Sequence, residues 1–184
     1  MEVSPEIQKI LDHNAAFVAA EEYRQYETNK YPDKKLAIVS CMDTRLTELL
    51  PKALGLKNGD AKIIKVAGAE VSEPYGSVMR SLLVAVYELG VEDVMIVAHT
   101  DCGAQHMSAE EMVPSMKEAG VSIPALKQVE EEISLTDWLA GFGDTEEAVH
   151  RSVSLVRDHP LMPPSVRVNG FVINTATGEL KLVE

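Results

Sequence analysis

The chain has 184 residues, 46% of them apolar and 25% charged, and a net charge of −12 at pH 7. These values fit one soluble globular domain over residues 1–184 with a substantial core. The acidic balance argues against nucleic acid and anionic membrane surfaces, which favour Lys- and Arg-rich faces, and no apolar run approaches the ~20 residues needed to span a bilayer.

No apolar leader segment opens the sequence, and its two cysteines, Cys41 and Cys102, are too few for a disulfide framework. A cytoplasmic, reducing location with free thiols is therefore expected. Residues 5–30 predict a helix. Ser4 is placed to cap it, Pro5 sits at its first position, and Ile7, Ile10, Leu11, Ala15, Val18 and Tyr23 form its apolar stripe. Tyr31-Pro32-Asp33 breaks it. Residues 36–40 read as a buried strand that runs into Cys41-Met42-Asp43-Thr44-Arg45, and a helix is expected over 46–54. Asn58-Gly59-Asp60 is a turn. Residues 61–66 give a second strand, ended by Ala67-Gly68-Ala69.

A strong helix is predicted over 75–89, with Val78, Leu82, Leu83, Val86 and Leu89 facing inward and Gly90 ending it. The apolar run 94–98 is the third strand and leads into His99-Thr100-Asp101-Cys102-Gly103. Residues 104–164 are helical in pattern. Breaks are expected at Pro114, Gly120, Pro124, Gly141-Phe142-Gly143, Pro160 and Pro163-Pro164. Within that region, 134–140 predicts a short helix and 145–157 another, capped by Asp144. Residues 166–174 form the last long strand, which Thr177-Gly178 turns back into 180–183 as a hairpin.

Strands alternating with helices predict an α/β layer fold with a mainly parallel sheet flanked by helices. In such sheets ligands bind beyond the carboxyl ends of the strands, where strand order reverses. Cys41 and His99 each follow a predicted strand end. If those strands are neighbours, Cys41, His99 and Cys102 meet in one crevice, with Asp43 and Arg45 at its rim. Thiolate and imidazole are good zinc ligands. With no third cysteine, the fourth position falls to water, to a histidine from elsewhere or to a carboxylate. Asp43 lies close enough in sequence to reach the metal, and Arg45 can hold it away in a bidentate pair. Zinc with two thiolates and one imidazole is formally neutral, so it should acidify a bound water less than a trihistidine site does. The active hydroxide form should then gain population towards alkaline pH.

Cys41-Met42-Asp43-Thr44-Arg45 followed by His99-Thr100-Asp101-Cys102-Gly103 resembles the signature of the β-class carbonic anhydrases, with Ala67-Gly68-Ala69 and the helix through Ser77, Met79 and Arg80 also similar to that family. The short length is most like its compact bacterial and archaeal branch. The resemblance implies a three-layer fold and one Zn²⁺ per chain on Cys41, His99 and Cys102. It implies reversible hydration of CO₂ to bicarbonate by zinc-bound hydroxide, with Asp43 and Arg45 as a catalytic dyad. Asp43 would accept a hydrogen bond from the bound water or serve as fourth ligand in a closed form. A homodimer or dimer of dimers is implied, with residues 1–35 as a helical arm packed on the partner subunit. Val66, Gly68 and Ala69 fall in the expected substrate pocket, and Val66 stands where the family commonly has Asn. Two alternatives remain: hydrolysis of a CO₂ analogue, CS₂ or COS, at the same site, or a non-catalytic zinc module with Asp43 locked on the metal.

Plainer readings accompany these. The two thiols can be small core residues or a redox pair, and Asp43–Arg45 can be a structural ion pair or a helix-start cap. Asp101 is expected to cap a helix beginning near Gly103, and Gly68 to permit a tight turn. His13, His106, His150 and His159 read as surface or packing residues, although His106 is the histidine nearest the site in sequence and thus a candidate proton route. Glu130-Glu131-Glu132 reads as a solvated helix face.

Overall fold

The computed structural model describes residues 3–184, which form two compact units divided at Lys30 and Tyr31. The first unit contains α1 (Pro5–Ala19), opened as expected by Ser4, whose hydroxyl accepts the Ile7 N–H at 3.3 Å. The predicted continuation to residue 30 does not form as one helix. Glu21 adopts a left-handed φ of 54°, which breaks the i→i−4 ladder, and only a 3₁₀ turn follows over Glu22–Tyr26. Ile7, Ile10, Leu11 and Val18 are exposed on α1.

The second unit is built on a five-stranded sheet in the order β2-β1-β3-β4-β5. The strands are β1 (Leu36–Cys41), β2 (Ala61–Val66), β3 (Asp93–His99), β4 (Arg167–Ile173) and β5 (Leu180–Leu182). The first three pairings are parallel, and the last, between β4 and β5, is antiparallel. This is the expected α/β sheet. From β1 the chain steps outward to β2, then crosses back to place β3 on the other side of β1. Strand order therefore reverses at β1, between the ends of β1 and β3. Both strands are almost wholly buried, as continuous runs of apolar residues in a covered parallel sheet should be.

The helices are α2 (Leu46–Ala53), α3 (Ser77–Leu89), α4 (Ala109–Glu118), α5 (Ile123–Glu132), α6 (Leu135–Trp138) and α7 (Thr145–Arg157). α3 starts two residues later than predicted, leaving Tyr75 outside it and exposed. Its fully buried positions are Met79, Leu82 and Ala85, whereas Val78, Leu83 and Val86 are only partly covered. Gly90 ends α3 in the left-handed conformation, and the Val91 N–H closes onto the Ala85 carbonyl at 3.0 Å. Pro114 does not break α4 but lies inside it, and Pro124 stands at the start of α5, where its missing N–H costs no intrahelical bond. The hydroxyls of Ser108, Ser122 and Ser134 cap α4, α5 and α6, and the Asp144 carboxylate caps α7 as predicted.

His159 is buried and doubly engaged. Its Nδ1 accepts the Leu161 N–H at 3.1 Å, and Nε2–H donates to the Pro74 carbonyl at 3.0 Å. α7 presses directly on β4 at Gly170, where an added Cβ would stand 2.3 Å from Val149 Cγ1 and 3.0 Å from Val153 Cγ2. Both valines are fully buried, so neither can yield without disturbing the core. Gly170→Ala should therefore destabilise the fold by about 1–3 kcal/mol. A lower urea midpoint with an unchanged denaturant slope is the expected result.

Candidate metal centre

β1 delivers Cys41 and β3 delivers His99 to the same edge of the sheet, and the turn after β3 brings back Cys102. The three side chains are buried, and their ligand atoms lie within 4.8 Å of one another. Cys41 Sγ and Cys102 Sγ are 3.8 Å apart. Two sulfurs each about 2.3 Å from a common tetrahedral centre would stand about 3.8 Å apart, so the observed spacing suits a shared metal ion. His99 supports the same fit. Its Nδ1 lies 2.8 Å from the Thr100 carbonyl, which can only accept, so Nδ1 carries the proton. Nε2 is fully buried and has no hydrogen-bond partner. An orphaned ring nitrogen beside two thiols is explained by a cation that uses all three. Burial pushes the Cys102 thiol up to about 11, a penalty that a bound divalent cation would offset by holding the thiolate.

Asp43 and Arg45 lie at the rim of this cluster. The Arg45 backbone N–H donates to Asp43 Oδ1 at 2.8 Å, and Nη2 donates to Oδ2 at 2.8 Å, with Nε between the two oxygens at 3.1 and 3.3 Å. These bonds hold the Asp43 carboxyl well below its ordinary range, at about 2. It is therefore an anion throughout the neutral range. Because its folded-state pKa is depressed, the pair's contribution to stability is complete above the ordinary carboxylate range and is lost as pH falls through about 2. Asp43 Oδ2 also lies 3.8 Å from His99 Nε2, so the carboxylate faces the cluster without bonding to it. Lys65, on β2, donates to the Cys41 carbonyl at 3.3 Å, and burial lowers its pKa.

A cavity of about 720 Å³ opens over these groups. Met42, Ala67, Gly68, Ala104 and Met107 supply apolar lining, and Asp43, Arg45 and Asp101 supply the charge. Of the three expected pocket residues only Gly68 lines this cavity. Val66 opens on a neighbouring cleft of about 620 Å³, and Ala69 is buried in the core. Gly68 has a φ of 69°, and an added Cβ would meet Phe142 Cε1 at 2.9 Å, so the position favours glycine on both counts. His106 is exposed and does not line the cavity.

Asp101 departs from its expected role. The 3₁₀ turn at Gly103–His106 has no side-chain cap, and Asp101 turns instead to Arg45. Its carboxylate accepts from Nη1 at 2.9 Å and its carbonyl from Nη2 at 2.8 Å. Sequence reasoning missed this contact, since 56 residues separate the partners. The only local hint was an acidic residue between two ligand positions. The lining methionines Met42 and Met107 were also missed.

Comparison with known proteins agrees with this geometry. The sequence pattern of a family described as carbonic anhydrase matches residues 36–180. The chain belongs to the β-carbonic anhydrase family. It is 53% identical over 175 residues to the Bacillus subtilis candidate carbonic anhydrase YvdA, covering 95% of this chain and 89% of that protein. The crystal structure of a β-carbonic anhydrase isoform from Trichomonas vaginalis superposes with a TM-score of 0.87 at 32% identity, covering 98% of both chains. A carbon disulfide hydrolase of Acidithiobacillus thiooxidans is 28% identical over 158 residues, covering 81% of this chain and 77% of that one. The relatives of this chain thus include proteins named as carbonic anhydrases and as a carbon disulfide hydrolase.

If the cluster is the metal site of this β-carbonic anhydrase family member, His99→Ala and Cys102→Ala should each reduce bound metal from about one equivalent per chain to roughly a tenth. Elemental analysis of purified protein measures this, and full retention in both variants would place the metal elsewhere.

Proposed function

We propose that this protein catalyses the reversible hydration of carbon dioxide to bicarbonate and a proton, with one Zn²⁺ held by Cys41, His99 and Cys102. The observation that carries the reading is the buried, unpartnered His99 Nε2 beside two thiols 3.8 Å apart, under a cavity with an ionised Asp43 at its rim. When bound, zinc would supply a Lewis acid that makes water available as a nucleophile, increasingly so towards alkaline pH.

The chain's own residues supply the rest. Met42, Ala67, Gly68, Ala104 and Met107 offer an apolar surface on which a small uncharged gas can rest without competing for hydrogen bonds. Asp43 offers a fixed anionic acceptor that can orient the nucleophile through a hydrogen bond. With its pKa held at about 2, it is too weak a base to store a proton in the neutral range, so its role is orientation. Arg45 occupies both Asp43 oxygens, which supports an open fourth position over a module with Asp43 locked on the metal. Cytoplasmic location and assembly as a homodimer or dimer of dimers complete the reading. Assembly is supported by the exposed apolar residues of α1, and no described helix is long and apolar enough to cross a membrane. Hydrolysis of CS₂ or COS at the same site is a second reading, favoured by the relatives named carbon disulfide hydrolase.

Stopped-flow hydration of CO₂ by zinc-loaded protein at alkaline pH should exceed background. Arg45→Ala should lower kcat/KM by about 10–100-fold while metal content stays at the parent level. Background rates with CO₂ but turnover of CS₂ or COS would select the second reading, and inactivity towards all three gases would reject both. For assembly, sedimentation of the whole chain should give a dimer or tetramer, and removal of residues 1–30 should shift it towards a smaller species.

A further inference from the structure

The Asp43–Arg45 pair is not self-contained. Arg45 presents five N–H donors in a rigid plane, and the structure divides them between two carboxylates. Nε and Nη2 serve Asp43, whereas Nη1 serves Asp101 Oδ2 and Nη2 is shared with the Asp101 carbonyl. The Arg45 side chain is 42% exposed, and its stem alone would not fix the position of its guanidinium. Asp101 provides that fixed point. It sits in the tight turn between His99 and Cys102 and adopts a left-handed φ of 56°, a conformation that costs a non-glycine residue energy and that asparagine and aspartate tolerate best. The strain aims both oxygen acceptors of one residue at one guanidinium.

We infer that Asp101 is a positioning residue: by anchoring Arg45 to the turn between two ligand residues, it keeps Asp43 turned away from the metal position and holds the fourth position open. The inference rests on the proposed zinc-centred function and adds a member to its machinery. Asp43 Oδ2 is already 3.8 Å from His99 Nε2, so a small displacement of the Asp43–Arg45 pair suffices to bring the carboxylate onto the ligand cluster. Without the Asp101 carboxylate, Arg45 keeps only its short-range pairing with Asp43 and one backbone acceptor. The two side chains are then free to shift together, and the closed arrangement gains population.

The magnitude is modest because the Asp101 side chain is 86% exposed and solvent screens its charge. Asp101→Gly removes the carboxylate and keeps a backbone that accepts the left-handed conformation, so the fold should be retained. The full chain is loaded with Co²⁺, and azide affinity is read from the visible spectrum, since azide enters only an open fourth position. Apparent affinity falls in proportion to the open fraction, so Asp101→Gly should raise the apparent Kd about three- to fivefold at unchanged metal content. In an Arg45→Ala background the same substitution should change nothing further, because its effect passes through Arg45. An apparent Kd in Asp101→Gly equal to the parent's would overturn the inference. So would an equal loss with and without Arg45, which would mean that Asp101 acts independently. If the parent itself takes up no azide, the open-site reading fails, and the inference fails with it.

Discussion

The parallel pairing of β1 with β3 is the constraint on which the centre depends. The register from Leu36↔Asp93 to Ser40↔Val97 fixes the two strand ends relative to each other, and with them Cys41 and His99. Because strand order reverses at β1, no crossover helix covers the space beyond these ends, and a crevice remains there. The surrounding packing serves that pairing. β1 and β3 are buried on both faces, and α7 closes tightly enough on β4 that Gly170 has no room for a side chain. Two of the three candidate ligand residues, Cys41 and His99, end strands of the packed sheet, and Cys102 lies on the short turn that follows β3.

Electrostatics divides the site into a buried half and an open half. The buried half holds two thiols and an imidazole whose Nδ1–H is committed to the Thr100 carbonyl. Thr100 is itself tied to the turn after β4, since its hydroxyl accepts the Thr175 N–H at 3.2 Å. The open half holds fixed charges, with Arg45 between Asp43 and Asp101. The buried half suits a cation, whereas the open half determines what can approach that cation. Met42, Met107 and the small residues give the open half its apolar lining.

Much of this was legible in the chain. The short apolar runs 36–40 and 94–98 read as covered strands, and both form in the sheet. Ser4, Gly90 and Asp144 marked helix ends through the hydrogen bonds those ends require. The errors have local physical causes. Glu21 took a left-handed conformation that sequence does not announce, so α1 stopped early. Pro114 was read as a break, yet a helix only ten residues long absorbs one lost bond. Of the residues expected in the substrate pocket, Gly68 lines the cavity beside Ala67, whereas Val66 opens on the neighbouring cleft and Ala69 is buried.

The sequence by itself determined the kind of chemistry available: two thiols, one imidazole and an aspartate–arginine pair placed at the ends of buried strands. Residue type and strand position are local properties, and hydrophobic patterning expresses them directly. Only the tertiary structure decided that β1 and β3 are neighbours, that His99 presents Nε2 rather than Nδ1 to the cluster, and that Asp101 belongs to Arg45 and not to a helix end. Each of these depends on groups distant in sequence or on a hydrogen bond set by backbone direction, and pairings of that kind form only when the sheet has closed around them.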